Sequence, residues 1–333
     1  MRTSEFAYLL PSDAIAQRPA EPRDAARLLD TRDLSDRTFS ELPDLLQRGD
    51  LVVVNNTRVR AARLLGRKEE TGGVVEALIL GRLDDGRWEA LVRPARRLHA
   101  GTRLRFGNLR GSVLEDPVRG KALLDLESDD VEESIANYGE VPLPPYITSG
   151  PVDPEDYQTV FADKLGSAAA PTAGLHFSSS LLDHLAERGI DVATVDLQVG
   201  LDTFRPIETE RVEDHEMHRE RFSIPAETAA AVSAVRGRKG KVVAIGTTVV
   251  RALEAASNEH GVLSGEASTD LFIRPGYQFR IVDALVTNFH IPRSSLIVLV
   301  AALVGDHWRS VYATALERGY RFLSFGDAMY AER

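Results

Sequence analysis

The sequence predicts an α/β fold, with a mixed-sheet α/β main domain and a small inserted antiparallel β-barrel domain. After Tyr157, strand-like and helix-like segments alternate, which is typical of helices packed on a sheet. Between residues 60 and 126, six short strand-like segments are separated by turn residues, which is typical of a small barrel. Another apolar strand, at residues 50–59, precedes them. The barrel therefore interrupts the α/β domain.

The barrel is followed by two connecting segments. Its predicted strands are ARLLGRK, VVEALILGRL, RWEALVRP, TRLRFG, RGSVLED and KALLDLE. The acidic stretch at residues 127–140 predicts a helix, and the proline-rich VPLPPYITSGPVDP predicts an extended connection. We therefore expect residues 60–144 to form the barrel domain with its acidic connecting segment. Residues 1–59 and 145–333 are expected to form the α/β catalytic domain.

The elements of the α/β domain follow from capping and periodicity. SSSLLDHLAERG predicts a helix, because serines can cap its start, leucines recur on one face and Gly189 ends it. The predicted strands are IDVATVDLQVG, KVVAIG and YQFRIVDALVTNF. The predicted helices after the last two are TTVVRALEAAS and SSLIVLVAALVG.

The composition is that of a soluble globular protein, with 43% hydrophobic and 27% charged residues among 333. The chain has no cysteine, which excludes disulfides, iron–sulfur clusters and thiolate zinc sites. Its longest apolar run, residues 296–304, is about half the roughly 20 residues of a membrane-spanning helix, so we expect a buried helix and no membrane contact. The N-terminus does not resemble a signal peptide, and we expect a cytoplasmic protein.

Charge is unevenly distributed along the chain. The formal net charge is −10, yet residues 58–110 contain thirteen Lys or Arg against six Asp or Glu. A basic module on an acidic body is compatible with RNA binding through one face. The alternative is a solvated arginine-rich face, because the chain has only five lysines and uses arginine for most of its positive charge.

Three polar loops predict a ligand site. Each joins a strand or extended segment to a helix start: APTAGLHFSSS, AIGTTVVRAL and VTNFHIPRSSL. In an open α/β sheet the ligand crevice lies beyond the carboxyl ends of the strands. Helix starts there offer free N–H groups to anionic or polar atoms. We expect the three loops to line one pocket for a polar small molecule.

The second loop contains the candidates Gly246, Thr247 and Thr248, although an ordinary threonine-capped turn has the same sequence. Arg251 lies one turn into the helix. Its guanidinium could clamp a carboxylate or phosphate, or it could pair with Glu254 at the surface.

In the third loop, Thr287, Asn288 and His290 place three hydrogen-bonding side chains within four residues, a density that favours a site. His176 of the first loop is a further candidate, with a structural histidine as the alternative. His215 and His218 are three apart, whereas the zincin pattern needs a spacing of four, so we predict no metal site. Dinucleotide, P-loop and serine-hydrolase motifs are also missing.

At these loops the sequence resembles the S-adenosylmethionine:tRNA ribosyltransferase-isomerase family of queuosine biosynthesis. The resemblance covers nearly the whole chain. Its blocks are AQRPAEPRDAARLL, VVNNTRVRAARLLG, ALVRPARRL, PLPPYI, YQTVFADKLGSAAAPTAGLHF, VGLDTFRP, EDHEMH, AIGTTVVRALE, IRPGYQFRIVDALVTNFHIPRSSLIVLVAAL and YRFLSFGDAM.

The resemblance implies transfer and isomerisation of the ribosyl moiety of S-adenosylmethionine onto the 7-aminomethyl-7-deazaguanine at the tRNA wobble position. Adenine and methionine leave, and epoxyqueuosine-tRNA forms. S-adenosylmethionine is then a co-substrate, with no metal and no other cofactor expected. The implied macromolecular partner is tRNA with GUN anticodons, and we expect a monomer.

The implied chemistry suggests roles for the candidates. The sulfonium acidifies the neighbouring ribose carbon, so a base must take a proton there, and the departing adenine needs a donor. The catalytic candidates are His176 and His290, in either order. The substrate-binding candidates are Thr247, Thr248 and Arg251 for the methionine carboxylate, Thr172, Thr287 and Asn288 for ribose hydroxyls or the deazaguanine edge, and the loop glycines Gly174 and Gly246. The tRNA phosphate candidates are Arg58, Arg93, Arg96 and Arg97.

The sequence departs from the family pattern at three positions: Gln198 replaces the histidine of LHVG, Asp156 replaces an arginine before YQTV, and Leu165 replaces the proline of KPG. Glutamine cannot shuttle a proton at neutral pH, which puts a catalytic role of Gln198 in doubt. Two other functions stay open. One is a non-catalytic RNA-binding protein, and the other is a methyltransferase that would leave S-adenosylhomocysteine.

Overall fold

The computed structural model describes residues 1–150, 152–200 and 205–333. The chain divides into two compact units, residues 1–58 with 144–333, and residues 59–143. The predicted fold class is confirmed. A mixed nine-stranded sheet with helices forms the first unit, and an antiparallel sheet closed into a barrel forms the second.

The elements follow one another along the chain. The first are β1 Arg27–Asp30, β2 Ser35–Thr38, α1 Leu42–Leu45, β3 Leu51–Asn55 and β4 Thr57–Val59. The barrel unit contains β5 Arg63–Lys68, β6 Val74–Arg82, β7 Trp88–Arg93, β8 Arg103–Phe106, β9 Leu109–Val113, β10 Lys121–Glu127, α2 Val131–Tyr138 and β11 Gly139–Glu140.

The rest of the first unit alternates between strands and helices. Its elements are β12 Lys164–Ser167, α3 Ser179–Glu187, β13 Asp191–Leu197, β14 Glu220–Ile224, α4 Ala226–Gly237, β15 Val242–Ile245, α5 Thr247–Ala255, β16 Ser257–Asn258, β17 Gly261–Val262, β18 Gly265–Thr269, β19 Ala284–Asn288, α6 Ser295–Val304, α7 Trp308–Glu317 and β20 Ala328–Glu332. Short 3₁₀ helices lie at Thr3–Phe6, Ser12–Ala14, Arg23–Ala25, Phe39–Glu41, Ala95–Arg97, Pro154–Tyr157, Thr172–His176, Val212–Asp214 and Gly305–His307.

The large sheet has a parallel centre. Its strand order is β18-β14-β13-β3-β15-β19-β20-β1-β2. The neighbours β13, β3, β15 and β19 run parallel to one another, whereas β14, β18, β20 and β2 add antiparallel pairings. The carboxyl ends of the four central strands therefore lie along one edge of the sheet.

Helices cover both faces of this sheet. Along β15, Val242 and Ala244 pack into one core, and Val243 and Ile245 pack into the other. This alternation follows from the two-residue period of a strand. The first core is completed by α4, α5, α6 and α7, and the second by α1 and α3.

The predicted buried helix is α6, whose apolar residues belong to the first core. In the described ranges, one stretch, Ser295–Glu317, is long and apolar enough to cross a membrane by length and composition alone. A core helix passes the same test, and 56% of its most apolar window is buried inside the protein.

One predicted strand is wrong in its first half. The prediction covered residues 277–289, but the strand β19 is limited to Ala284–Asn288. The residues just before it are fixed by the buried carboxylate of Glu254, which accepts hydrogen bonds from the backbone N–H groups of Arg280, Ile281 and Val282 at 2.9–3.0 Å. Because these donors are bound to a carboxylate, they are not free to pair with a neighbouring strand.

All six predicted barrel strands are present. Their order is β5-β6-β7-β10-β9-β8, and β8 pairs back to β5, which closes the barrel. The acidic segment contains the predicted helix, α2, whose N-terminal residue Asp130 accepts a hydrogen bond from the N–H of Glu133 at 3.0 Å. Within the same unit, Glu132 forms an ion pair with Arg60.

Barrel closure requires a glycine at position 66. A Cβ atom there would overlap the carbonyl oxygen of Arg105 and the ring of Phe106. These two residues belong to β8, the strand that pairs with β5. The close approach of the two backbones therefore leaves no room for a side chain.

We predict that Gly66→Ala destabilises the barrel unit by about 1–3 kcal/mol, because the new methyl group must displace backbone. Gly81→Ala in β6 is the matched control, since a Cβ there would meet no described atom within 4 Å. The measurement is the thermal or urea unfolding transition of each variant. Equal midpoints for the two variants would contradict the steric role of Gly66.

Candidate functional site

A cavity lies at the edge of the sheet where the central parallel strands end. Residues from all three predicted loops line it, together with one residue after β13 and residues from two distant segments. The lining residues are Tyr146, Ala170, Pro171, Thr172, Ala173, Val199, Gly246, Thr247, Thr248, Thr287, Asn288, Phe289, His290, Ile291, Leu296, Leu323 and Ser324. The prediction that the three loops share one pocket is confirmed.

The first loop forms a 3₁₀ helix, Thr172–His176, between Pro171 and the capping Ser178 of α3. Thr172 faces the cavity, but Gly174 is not among its described lining residues. A Cβ on Gly174 would lie 2.8 Å from the ring of Phe161 and 3.0 Å from Thr159. This glycine therefore allows the loop to pack closely, rather than contacting the cavity.

The second loop turns directly from β15 into α5. Gly246 has φ +92°, a left-handed conformation that favours glycine, and precedes the first helical residues Thr247 and Thr248. The first N–H groups of a helix have no acceptor within the helix, and the helix dipole makes this end positive. Because both threonines line the cavity, this positive end borders it.

The third loop begins at the end of β19 with Thr287 and Asn288 and continues to His290. Its backbone is fixed on both sides. The N–H of His290 donates to the hydroxyl of Tyr312 at 3.1 Å, and the hydroxyl of Tyr8 donates to the carbonyl of His290. The position of the imidazole at the cavity therefore depends on the core aromatic residues.

Two hydrogen-bond chains connect the loops with the imidazoles. In one chain, the hydroxyl of Thr172 donates to Oδ1 of Asn288 at 3.1 Å, and Nδ2 of Asn288 donates to Nε2 of His176 at 3.2 Å. In the other, Oγ1 of Thr287 lies 3.2 Å from Nε2 of His290. His290 lines the cavity, whereas His176, among the described residues, reaches it only through Asn288.

Burial keeps both imidazoles neutral. Loss of solvent lowers the pKa of His176 to about 4 and that of His290 to about 3. The nearby carboxylate of Asp327 counteracts this effect on the pKa of His176, but only in part. At neutral pH each ring is therefore uncharged and keeps one nitrogen as a proton acceptor.

Arg251 pairs with a buried carboxylate instead of facing the cavity. Its side chain forms an ion pair with Glu220, and its Nε donates to the carbonyl of Leu271 at 3.1 Å. The alternative pairing with Glu254 at the surface is wrong, because Glu254 is buried and binds backbone N–H groups. Within the described ranges, Arg251 is not a lining residue, and its buried Nη2 has no hydrogen-bond partner.

His215 and His218 do not form a metal site with the described residues. Nε2 of His218 lies 3.0 Å from a carboxylate oxygen of Glu220, and the ring of His215 contacts Phe272 edge-on. In the part of the chain that the structure describes, no three His, Asp or Glu side chains are grouped to hold a metal ion.

The predicted tRNA contacts lie in both units. In the first unit, Arg58 forms an ion pair with Glu155 at 2.8 Å. In the barrel unit, Arg93, Arg96 and Arg97 are exposed around the 3₁₀ helix Ala95–Arg97, and they form no ion pair with any described residue. These three guanidinium groups are therefore available to an anionic partner.

Several lining residues were not predicted. Tyr146 and Ser324 contribute hydroxyls, and Val199, Leu296 and Leu323 contribute apolar surface. Tyr146 and Ser324 lie in the blocks PLPPYI and YRFLSFGDAM, which carry the family resemblance, but the sequence predicted no role for either residue. Their position in these blocks was the sequence signal that could have identified them as site residues, since neither residue follows a strand of the large sheet directly.

A family model described as a queuosine biosynthesis protein matches residues 3–331. The chain belongs to this family. A relative from Symbiobacterium thermophilum, named S-adenosylmethionine:tRNA ribosyltransferase-isomerase, is 50% identical over 99% of each chain. A relative of the same name from Desulfitobacterium hafniense is 46% identical over 99% of each chain.

The fold comparison agrees with the sequence comparison. The crystal structure of an S-adenosylmethionine tRNA ribosyltransferase from Thermotoga maritima matches with a TM-score of 0.56 and 36% identity, over 98% of this chain and 99% of that chain. The resemblance identified from the sequence is confirmed.

The three departures from the family pattern lie outside the cavity lining among the described residues. Gln198 is exposed and lines a separate cleft with Asp196, Arg221 and Glu266. Leu165 is exposed, and Asp156 belongs to the 3₁₀ helix Pro154–Tyr157. None of the three replaces a side chain that faces the cavity.

The two lowered pKa values predict a loss of stability in acid. The unfolded chain protonates these imidazoles near pH 6.5, whereas the folded chain keeps them neutral down to their pKa values of about 4 and about 3. The unfolded state therefore binds more protons between these limits, and the free energy of unfolding falls as the pH falls from 6.5. Between pH 7.5 and 5 we expect a loss of about 2 kcal/mol per histidine.

Urea denaturation at the two pH values checks this prediction. The double variant His176→Gln with His290→Gln should lose less stability on acidification than the unchanged protein, by several kcal/mol. His260→Gln is the control, because His260 is exposed. An identical pH dependence in all three proteins would show that neither histidine is held neutral by the fold.

Proposed function

We propose that the chain transfers and isomerises the ribosyl group of S-adenosylmethionine onto the aminomethyl-deazaguanine of tRNA, with release of adenine and methionine. The main support is that three polar loops meet in one cavity, in a chain that is 46–50% identical to relatives of that name. The proposal includes tRNA with GUN anticodons, a monomer and a cytoplasmic location. It also includes catalysis in the α/β part, residues 1–59 and 145–333, and tRNA phosphate contacts at Arg58 and at Arg93, Arg96 and Arg97 of the barrel domain, residues 60–144.

The cavity offers different partners to the different parts of S-adenosylmethionine. The start of α5, at Thr247 and Thr248, is suited to the methionine carboxylate. Ala170, Pro171 and Leu323 provide apolar surface for a flat base. The polar side chains of Thr172, Thr287 and Asn288 are suited to ribose hydroxyls or to the edge of the deazaguanine.

The two histidines have unequal roles in this proposal. His290 lines the cavity, which supports the proposal that its neutral imidazole takes the proton from the ribose carbon beside the sulfonium. His176 acts through Asn288, whose amide it orients by accepting a hydrogen bond, and is therefore a positioning residue. Arg251 is likewise a positioning residue, because its ion pair with Glu220 of β14 fixes α5 against the sheet.

The expected products separate the proposed reaction from its alternatives. With S-adenosylmethionine and tRNA that carries aminomethyl-deazaguanine, we predict equal amounts of adenine and methionine and modified tRNA, measured by chromatography. S-adenosylhomocysteine as the product would instead indicate a methyltransferase. Binding of tRNA with neither product would indicate a non-catalytic RNA-binding protein.

Two variants, measured in the same assay, test whether the reaction depends on this site. His290→Gln should lower kcat at least about 100-fold, because it removes a proton acceptor, with tRNA affinity unchanged. His260→Gln, at an exposed position, should keep full activity. Full activity of the His290 variant would remove this imidazole from the mechanism.

The exposed arginines of the barrel unit generate a prediction for tRNA binding. Replacing Arg93, Arg96 and Arg97 together by glutamine should weaken binding and reduce the slope of log K against log salt by about 2–3, since each lost phosphate contact removes about 0.7–0.9. The measurement is tRNA affinity over a salt series. Arg236→Gln with Lys239→Gln, two exposed residues of the other unit, is the control. An unaltered slope in the triple variant would place the RNA elsewhere.

A further inference from the structure

Two hydroxyl groups in the cavity have no role in the proposal above. The hydroxyls of Tyr146 and Ser324 lie 2.7 Å apart, within hydrogen-bond distance, and both residues line the cavity. They come from segments 178 residues apart in the chain. A pair of hydroxyls brought together from such distant segments requires a structural explanation.

Tyr146 is fixed by a side chain from the N-terminal region. Nε2 of Gln17 donates to the carbonyl of Tyr146 at 2.9 Å, and Oε1 of Gln17 accepts from the N–H of Thr148 at 2.8 Å. One glutamine therefore satisfies the backbone on both sides of this turn. The phenol is held at the cavity by a dedicated contact rather than by a helix or strand.

Ser324 is held by an unusual backbone conformation. The preceding residue, Leu323, has φ +71°, which is rare for a bulky side chain and strains the backbone. The N–H of Leu323 donates to the carbonyl of Phe289 at 3.1 Å, which ties this segment to the third loop of the site. Strained residues of this kind are concentrated at functional sites, where the surrounding structure maintains them.

A third hydroxyl lies behind this pair. Tyr157 is fully buried, and among the described residues its hydroxyl makes no hydrogen bond. Its ring packs edge-on against Phe325, the residue that follows Ser324, with ring centroids 5.9 Å apart, and Ser324 lowers its pKa against the dominant effect of burial, which raises it. A buried hydroxyl without a partner destabilises the folded chain.

The chemistry of these hydroxyls favours a neutral ligand group. Burial raises the pKa of Tyr146 and of Tyr157, so both phenols keep their protons at neutral pH. Each hydroxyl can donate one hydrogen bond and accept others. Two adjacent hydroxyls of this kind match a vicinal diol, because one hydroxyl donates to the other, the remaining O–H can donate to a ligand oxygen, and both oxygens can accept from ligand hydroxyls.

We propose that Tyr146 and Ser324 bind the 2′,3′-diol of the nucleoside co-substrate. Tyr157 is a positioning residue in this proposal: when the diol engages Ser324, the hydroxyl of Tyr157 becomes the second partner of the serine oxygen. This inference rests on the proposed function, and it leaves Thr172, Thr287 and Asn288 for the edge of the deazaguanine.

Calorimetric binding of S-adenosylmethionine and its 2′-deoxy and 3′-deoxy analogues tests the proposal, with and without tRNA. Tyr146→Phe and Ser324→Ala should each bind S-adenosylmethionine about 10-fold more weakly. Each substituted residue faces one of the two ligand hydroxyls. With the analogue that lacks that hydroxyl, the variant and the unchanged protein should bind with equal affinity. Tyr138→Phe, an exposed tyrosine of the barrel unit, is the matched control and should bind like the unchanged protein.

Tyr157→Phe separates positioning from a structural role. It should leave the melting temperature unchanged or higher, since the lost hydroxyl had no partner, while S-adenosylmethionine binds about 3- to 10-fold more weakly. A lower melting temperature with unchanged affinity would overturn this assignment.

The remaining outcomes distinguish the inference from the proposed function. If Tyr146→Phe and Ser324→Ala bind S-adenosylmethionine normally, or lose the same factor with all three ligands, the diol contact is wrong even though the enzyme releases adenine and methionine. If the unchanged protein neither binds S-adenosylmethionine nor releases these products, the proposed function itself is wrong.

Discussion

The parallel alignment of four central strands is the constraint on which the site depends. Because β13, β3, β15 and β19 all end at one edge, the loops that follow them meet there although they are far apart in the chain. Gly246 allows the chain to turn directly from β15 into α5, so the positive end of that helix borders the cavity. The residues that line the cavity are thus neighbours because of the sheet rather than because of their sequence.

Burial favours the neutral form of the titratable side chains at this cavity. It lowers the pKa of His176 and His290 and raises that of Tyr146, so the imidazoles and the phenol are neutral at pH 7. Where buried charges are kept, each has a specific partner. Arg251 pairs with Glu220, and the carboxylate of Glu254 accepts backbone hydrogen bonds. The cavity wall therefore acts through hydrogen-bond geometry and a helix dipole, with its ionic groups placed behind it.

Local patterns in the sequence were sufficient for many of the strands and helices and for the three loops, but β1, β2, α4 and α7 were not predicted. Strand-like segments and turn signals predicted the six strands β5 to β10 of the barrel unit but not the short β11, and serine caps predicted the starts of α3 and α6. What failed depends on distant contacts. Residues 277–283 are not a strand, and within them Glu254 binds the N–H groups of Arg280, Ile281 and Val282. Glu220 as the partner of Arg251, and the pairing of Tyr146 with Ser324, likewise join segments that no local pattern relates. Such contacts are set by the topology of the sheet.

The side chains that line the cavity are uncharged at pH 7, and this affects how a sulfonium nucleoside would be distinguished from other nucleosides. The proposed co-substrate carries two cationic groups, the sulfonium and the α-ammonium, and one carboxylate, and a strongly charged wall would favour one sign at the expense of the other. The start of α5 would attract the carboxylate with partial charge alone, while the lone pairs of the imidazole nitrogen and the hydroxyl oxygens would face the cationic groups. A cavity lined by Thr247, Thr248 and His290 therefore suits a ligand that carries both signs of charge. In the proposed complex, the full charges that tRNA phosphates require would come from exposed arginines such as Arg93 and Arg96, which do not line this cavity among the described residues.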